Sequence, residues 1–266
     1  MYDVYLGGKD NFEVDRVAAQ QVLDSSPWVG PTARANRRFT ARATRYCLGV
    51  GIRQVLDVGP GLPTEPSVLS VTSAIDPQLP VVVVDNDPEV LAHYRTRIDQ
   101  GRRVVEGDIR NLGSLWPRLD PVLDWRQPVA VVMTALLHFL TDEDGPAEVV
   151  AAFRERMAPG SCLVLSHACS DGTDQQVVDR IQAAYDQGGR APLVFRTAEE
   201  IAGLCAGCAV VEPGVVDVAR WRPGLADAGD GGPVDGSDGW RGGKRPAAQE
   251  AGTRLQVAGV VAIVPG

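Results

Sequence analysis

Five short runs of strand-forming residues, at 53–58, 81–85, 103–106, 129–134 and 161–166, recur along the chain, and helical patterns fall between them at about 66–75, 88–100 and 145–157. Strands that alternate with helices pair through crossovers, so this rhythm predicts a parallel sheet with helices on both faces. The unbroken valines of VVVVD, ending at Asp85, and of VAVVM, from Val129, suit strands buried on both sides. The longest apolar run, Val129 to Leu140, falls well short of the ~20 residues a membrane helix needs and is read as a strand entering a loop.

The rhythm changes after Ala168. Helical patterns cover 173–185 and 197–204, the second opening on a Thr-x-x-Glu capping box at Thr197. Two β-rich stretches follow, CAVVEPGVVDVARW and RLQVAGVVAIV, which predict an antiparallel C-terminal pair. The segment between them, about 224–252, is rich in Gly, Asp and Pro with little to bury, and is expected to be a mobile loop insertion. Ahead of the first strand, Asp15–Leu23 and Thr32–Leu48 read as helices, which divides the chain into an N-terminal helical extension, 1–50, and a main domain, 51–266.

The 266 residues, 44% hydrophobic, suffice for one sizeable core. A formal charge of −8 argues against a nucleic-acid backbone or an anionic membrane as the main partner. Five cysteines form no paired framework and no apolar leader follows Met1, so a reduced, cytoplasmic protein is expected.

The first strand runs into VLDVGPGLPT, Val55 to Thr64. Gly59 and Gly61 permit a sharp strand-to-helix turn and a close approach by a ligand. A dinucleotide fingerprint asks for a third glycine where Thr64 stands, and a P-loop asks for Gly-Lys-Ser/Thr, which does not follow; a pyrophosphate is therefore disfavoured. Asp85 ends the second strand, where a carboxylate can accept both hydroxyls of a ribose. Asp87 is placed to cap the helix beginning at Pro88. Asp108 ends the third strand, suited to an adenine amino group, and Ile109 can pack on the ring. Together these groups predict an adenosine lying across three strand tips.

D-x-G-x-G, the acid after strand two, the GD after strand three and the later APGSCLVLSH resemble a class I S-adenosylmethionine-dependent methyltransferase. More narrowly, YLGGKDNFEVDR, RANRRF, LDVGPGLPT, VVVDNDP and LSHA resemble the actinobacterial S-adenosyl methyltransferase family formerly catalogued as a domain of unknown function. The likeness covers nearly the whole chain except about 224–252. Where that family usually carries Asn and His-Glu after the glycine turn, this chain has SVLSVTS. The resemblance implies a Rossmann-like three-layer αβα sandwich, a seven-stranded mixed sheet and an N-terminal helical lid. It further implies S-adenosyl-L-methionine as cofactor, with S-adenosyl-L-homocysteine as product. Asp57, Gly59 and Gly61 would form the methionine side, Asp85 with Asn86 would hold the ribose, Asp108 and Ile109 the adenine, and the backbone at Thr134 and Ala135 the amino-acid part.

Candidate catalytic groups are His138, just past strand four, and His167, at the end of strand five; either suits proton removal from an acceptor, or simply packs and fixes loops. In LGGKDNF, Lys9 and Asn11 are candidates for the cofactor carboxylate and Tyr5 for the acceptor, the alternative being a rigid turn with Asp10 as a helix cap. The run Arg34, Arg37, Arg38 reads as a solvated face, with contact to an acidic substrate as its alternative. Cys205 and Cys208 have zinc-like spacing but no second ligand pair, and read as ordinary buried thiols. Asp142, Glu143 and Asp144 are read as acids at a helix start, not as metal ligands. The overall expectation is methyl transfer to a small-molecule acceptor, with no metal and no nucleic acid. The rivals are a cofactor-binding protein without chemistry and a nicotinamide-dependent oxidoreductase.

Overall fold

A computed structural model describes residues 1–98, 101–187, 192–225 and 255–266. Three helices come first: α1 (Tyr2–Leu6), α2 (Glu13–Ser25) and α3 (Val29–Gly49). Strands and helices then alternate as β1 (Val55–Val58), α4 (Val68–Ile75), β2 (Val81–Asp85), α5 (Pro88–Arg95), β3 (Arg103–Glu106), α6 (Leu112–Leu119), β4 (Ala130–Thr134), α7 (Pro146–Arg156) and β5 (Cys162–Cys169). The chain continues through α8 (Gln175–Gln187), α9 (Ala198–Gly203), β6 (Ala209–Val210), β7 (Val216–Asp217) and β8 (Gln256–Ile263).

The sheet order is β3-β2-β1-β4-β5-β8-β6, with β7 also on β8. The first five strands are mutually parallel, as the crossover rhythm requires. β8 runs antiparallel to β5 along eight pairs, from Cys162↔Ile263 to Cys169↔Gln256. Among the described residues eight strands form where seven were expected, because the outer strand is in two pieces: Ala209–Val210 and Val216–Asp217 share the same edge of β8. Pro213 lies between them, and a proline has no N–H for a ladder. The expected insertion at about 224–252 falls, but for its first two residues, outside the described residues.

Alternation along the strands divides the core into two layers. Leu56, Val58, Val82, Val84, Met133 and Leu163 face α6, α7 and α9. Val55, Val81, Val83, Val132 and Val164 face α3, α4 and α5, where Phe39 is fully buried. Burying one such side chain contributes roughly 1.5–3 kcal/mol, so α3 is anchored as part of the covering layer. α1, α2 and the start of α3 instead pack on α8, through Tyr5, Ala19, Val22, Val29, Val177 and Ile181. The N-terminal extension is thus two things: a helix that covers the sheet and a small cap over its carboxyl edge.

Two elements carried no clear signal. α6 holds Pro117 within eight residues, and α1 is five residues long. β5 runs on to Cys169, beyond its expected end at 166, because β8 continues to pair with it after β4 stops at Thr134↔Ser166. His167 therefore lies inside the sheet.

Candidate active site

β1 delivers the chain into a turn with Gly59 at φ 62° and Gly61 at φ 64°, the left-handed region that glycine occupies without strain. A β-carbon on Gly59 would lie 2.5 Å from Leu136 Cδ1. The turn is also held from α3. Arg37, only 7% exposed, donates from Nη2 to Pro60 O at 3.0 Å and Leu62 O at 3.2 Å. The expectation of a solvated basic face fails at this residue: its guanidinium satisfies carbonyls that a tight turn leaves without helical or sheet partners. Arg34 similarly donates to Tyr5 O at 3.2 Å, tying α3 to α1.

Asp85 stands at the end of β2. Its Oδ1 accepts from Asp87 N at 3.0 Å and its Oδ2 from Gly61 N at 3.4 Å, so the turn and the acid orient one another. Burial raises its pKa, and those backbone bonds oppose the rise. Asp87 caps α5 through Glu89 N at 2.8 Å, as its place before Pro88 predicts. At the tip of β3, Asp108 pairs with Arg110 at 2.5 Å and accepts from Asn86 Nδ2 at 3.2 Å. These hydrogen bonds, Arg110's first, hold its carboxyl down at about 2. Ile109 is buried beside it. After β4, Ala135 takes a left-handed φ of 53° and donates from N to Ser166 Oγ at 2.8 Å, a strained tip of the sort that clusters at functional sites.

These strand tips open into one cavity of about 590 Å³. Gly59, Gly61, Asp85, Asn86, Asp108, Ile109, Thr134, Ala135 and His138 line it, and α1 and its following loop contribute Tyr5 and Asn11. Three of the sequence candidates are not among its lining residues. Lys9 is exposed. Asp57 is 4% exposed beneath the turn, on the α3–α5 face, where burial pushes its carboxyl up to about 7; Arg37 opposes the rise and Asp85 adds to it. His167 is 1% exposed, with Nδ1 2.8 Å from Ala168 O and Nε2 2.9 Å from Arg196 Nη1. A guanidinium can only donate, so Nε2 accepts and Nδ1 carries the proton. Burial, first of its causes, takes this imidazole down to about 4.

His138 sits differently. Its Nδ1 accepts from Ala168 N at 3.3 Å, which leaves the proton of the neutral ring on Nε2. Burial, then His167 and Arg196, take its pKa well below the usual imidazole range. Asn11 ties the turn after α1, donating from Nδ2 to Asp3 Oδ2 at 2.7 Å and Gly8 O at 2.9 Å. The cap of α2 involves Asp15, whose Oδ2 accepts from Phe12 N at 3.2 Å, and not Asp10. Asp142 accepts from Arg196 Nη2 at 2.6 Å, and Asp144 Oδ2 takes Thr141 N at 2.8 Å. Among the described residues no group of three or more His, Cys, Asp or Glu could hold a metal ion. Cys205 is buried and Cys208 half-buried, both free.

Several lining residues had no individual signal. Asp3, Asn36, Phe139 and Tyr185 line the cavity, and Arg196 braces its His138 loop through Leu140 O at 3.3 Å. Asn36 falls in RANRRF beside Arg37, where no local pattern marks it as a cavity residue. The cavity is also acid-lined: Asp3, Asp10, Asp15, Asp85, Asp87, Glu89 and Asp108 outnumber the Met1 ammonium, which pairs with Asp15, and Arg37 and Arg110, which donate to the turn carbonyls and to Asp108. Such a field favours a cation.

A cavity over the β3-β2-β1-β4 edge, lined by acids at two strand tips and covered by a helical cap, sits where a Rossmann-like S-adenosylmethionine-dependent methyltransferase keeps its site. The chain belongs to the S-adenosyl methyltransferase family, which its residues 1–263 match. A crystal structure of a DUF574 family protein from Streptomyces avermitilis is similar at 31% identity and a TM-score of 0.84, over 99% of this chain and 95% of that one. A putative methyltransferase from Thermobifida fusca is similar at 32% identity and a TM-score of 0.83, over 100% and 93%. The N-methyltransferase NodS from Bradyrhizobium japonicum, crystallised with S-adenosylhomocysteine, shares the fold alone, at 15% identity and a TM-score of 0.50, over 96% and 100%. No curated protein matches the sequence.

The residues present fit S-adenosylmethionine. The acid-lined wall suits its cationic sulfonium, and Gly59 leaves room for the Leu136 side chain that packs on the turn.

Proposed function

We propose that this methyltransferase acts on a small molecule held at the end of the cavity away from the strand tips, beneath α1 and α2 as a lid. The observation that carries this reading is that one cavity joins two unlike walls. The strand-tip wall holds Asp85, Asp108 and Ile109; the other is lined by Tyr5, Val29, Phe139, Tyr185, Leu193 and Leu255. A polar wall reads a nucleoside, and an aromatic wall receives an acceptor. Acids around the cavity disfavour a phosphate-bearing acceptor, and with it a nucleic acid.

S-adenosylmethionine, when bound, supplies a methyl group on a sulfonium for in-line displacement. The chain's own part is binding and alignment. Asp85 accepts the ribose hydroxyls, its two oxygens already aimed by Asp87 N and Gly61 N. Asp108 accepts from the adenine amino group in competition with Arg110, and Ile109 packs on the base. Thr134 and Ala135 meet the amino-acid part, and Asn11 supports the lid turn over it. Asp57 acts from beneath the turn, and Lys9, being exposed, has no part. Orientation and exclusion of water supply the acceleration. Of the two histidines, His138 faces the cavity and offers a donor, Nε2–H, that orients an acceptor heteroatom; a ring so protonated is a poor base. His167, with both nitrogens engaged, braces the strand and takes no proton. Tyr5 packs beside the acceptor.

Calorimetric titration with S-adenosylhomocysteine tests this. The wild type binds, and Asp85→Ala weakens binding by at least about tenfold, since hydrogen bonds to a charged group are worth roughly 1.5–3 kcal/mol each. Unchanged affinity in that variant refutes the placement, and binding of NAD in preference refutes the cofactor.

A further inference from the structure

α1 places a carboxylate on the cavity wall that the assignments above leave unused. Asp3 is 8% exposed and lines the cavity. Its side chain accepts from Asn11 Nδ2 at 2.7 Å and Thr64 Oγ1 at 3.5 Å, both neutral donors. Among the described residues no Lys, Arg or His pairs with it. Those hydrogen bonds all come from neutral groups, so a cation entering the cavity meets a carboxylate without a counterion. The chain also makes room for it: a β-carbon on Gly8 would collide with the Asp3 carboxylate, so the second glycine of LGGKDN exists to let the acid lie there.

A second group, on a different element, points the same way. Asn36 of α3 is 3% exposed and lines the same cavity. Its Nδ2 donates to Tyr2 OH at 3.0 Å, and Tyr2 OH donates to Ala33 O at 3.2 Å. Because the hydroxyl proton goes to the carbonyl, the amide must present its N–H to Tyr2, which fixes its orientation. Asn36 Oδ1 is then a buried acceptor without a partner. Buried acceptors are nearly always satisfied, and this one belongs to a side chain on the cavity wall, so a donor on a bound ligand is a partner within its reach.

We infer that Asp3 and Asn36 Oδ1 form an ammonium-binding pair for the amino group at the methionyl end of the cofactor; this rests on the S-adenosylmethionine reading of the cavity. Thr64, which Asp3 touches, closes the turn begun by Gly59 and Gly61. An adenosine spanning the tips of β2 and β3 leaves its 5′ substituent running towards that turn. Asp3 supplies the countercharge and Asn36 the remaining acceptor. Asp3 thereby makes α1, which is packed on α3 through Arg34 and Asn36, part of the cofactor site.

The test compares S-adenosylhomocysteine with its des-amino analogue, S-(5′-adenosyl)-4-thiobutyrate, by calorimetry. The wild type should prefer the amine by at least about thirtyfold, and Asp3→Asn should reduce that preference to severalfold or less while binding the des-amino analogue as the wild type does. Asn36→Ala should lower the preference in the same direction by a smaller factor. Equal wild-type affinity for the two ligands overturns the pair whether or not any variant folds. An undiminished preference in Asp3→Asn overturns it for Asp3. If the wild type binds neither ligand, the cofactor reading itself has failed.

Discussion

Asp57→Asn gives the sharpest test of the site's energetics. The carboxyl lies under the glycine turn, 4% exposed, with its pKa pushed from 3.8 up to about 7, first by burial and further by Asp85, against the pull of Arg37. A folded pKa above the unfolded one means that the folded state holds more protons between those values. Stability therefore falls as pH rises from about 4 to about 7 and is flat beyond. The shift of about three units, at 1.36 kcal/mol per unit, amounts to about 4 kcal/mol charged against the folded state at pH 8. An asparagine has nearly the same shape and never ionises. Wild type and Asp57→Asn should differ little in urea unfolding free energy at pH 4, and the variant should gain steadily to be about 4 kcal/mol more stable at pH 8. Pairing the two proteins matters because the histidines act oppositely. His167, lowered to about 4, binds protons more readily unfolded, so its contribution is lost as pH falls from 6.5 towards 4. That term is common to both proteins and cancels in the difference. A difference that stays flat between pH 4 and pH 8 would refute the buried-carboxylate account.

Two further substitutions probe the scaffold. Gly59→Ala should destabilise by about 1–3 kcal/mol in urea unfolding and weaken S-adenosylhomocysteine by calorimetry, since the new methyl meets Leu136 at 2.5 Å on a residue with φ 62°; wild-type behaviour in both assays would mean that the turn is not held by packing. Arg196→Met should lower stability by about 1–3 kcal/mol at pH 7, by stranding His167 Nε2 and Leu140 O, and should raise the His167 pKa by removing a neighbouring positive charge, a shift followed by NMR of the ring protons.

The parts of this fold that were legible in the sequence are those whose physics is local and repeated. VVVVD had to be a central strand because nothing else buries four valines in succession, and Asp87-Pro88 had to open a helix because the cap and the proline act within one turn. The strand tips were legible for the same reason: Asp85 ends β2 and Asp108 lies two residues past the end of β3, strands that pair in parallel with Asp85↔Glu106 in register, so their positions follow from the strands themselves. What stayed hidden depends on partners far along the chain. Arg37 looked solvated because its neighbours in sequence are polar, yet its carbonyl partners are Pro60 and Leu62. His167 looked like a strand-end residue because the strand-forming run was read to 166, whereas β8, about ninety residues later, carries the strand past it. Arg196 reaches His167 and Asp142 across two loops.

The same distinction explains why the cofactor end was easier to read than the acceptor end. A nucleoside is gripped by groups that the alternating fold places at fixed strand termini, so motif spacing carries the information. The wall proposed for the acceptor is assembled from α1, the start of α3, the His138 loop, α8 and the segment leading into β8, elements far apart in the chain. No period within any one of them announces that Tyr5, Phe139 and Tyr185 line one chamber. Asp3 is the exception that links the two ends. It arises within a five-residue helix, next to a Gly-Gly pair whose second glycine its own carboxylate requires, and it reaches the turn that follows β1. If its partner is the ammonium of the bound cofactor, α1 belongs to the methionyl end of the site as well as to the cap. A wall with no motif of its own can then vary without disturbing the grip proposed for the nucleoside.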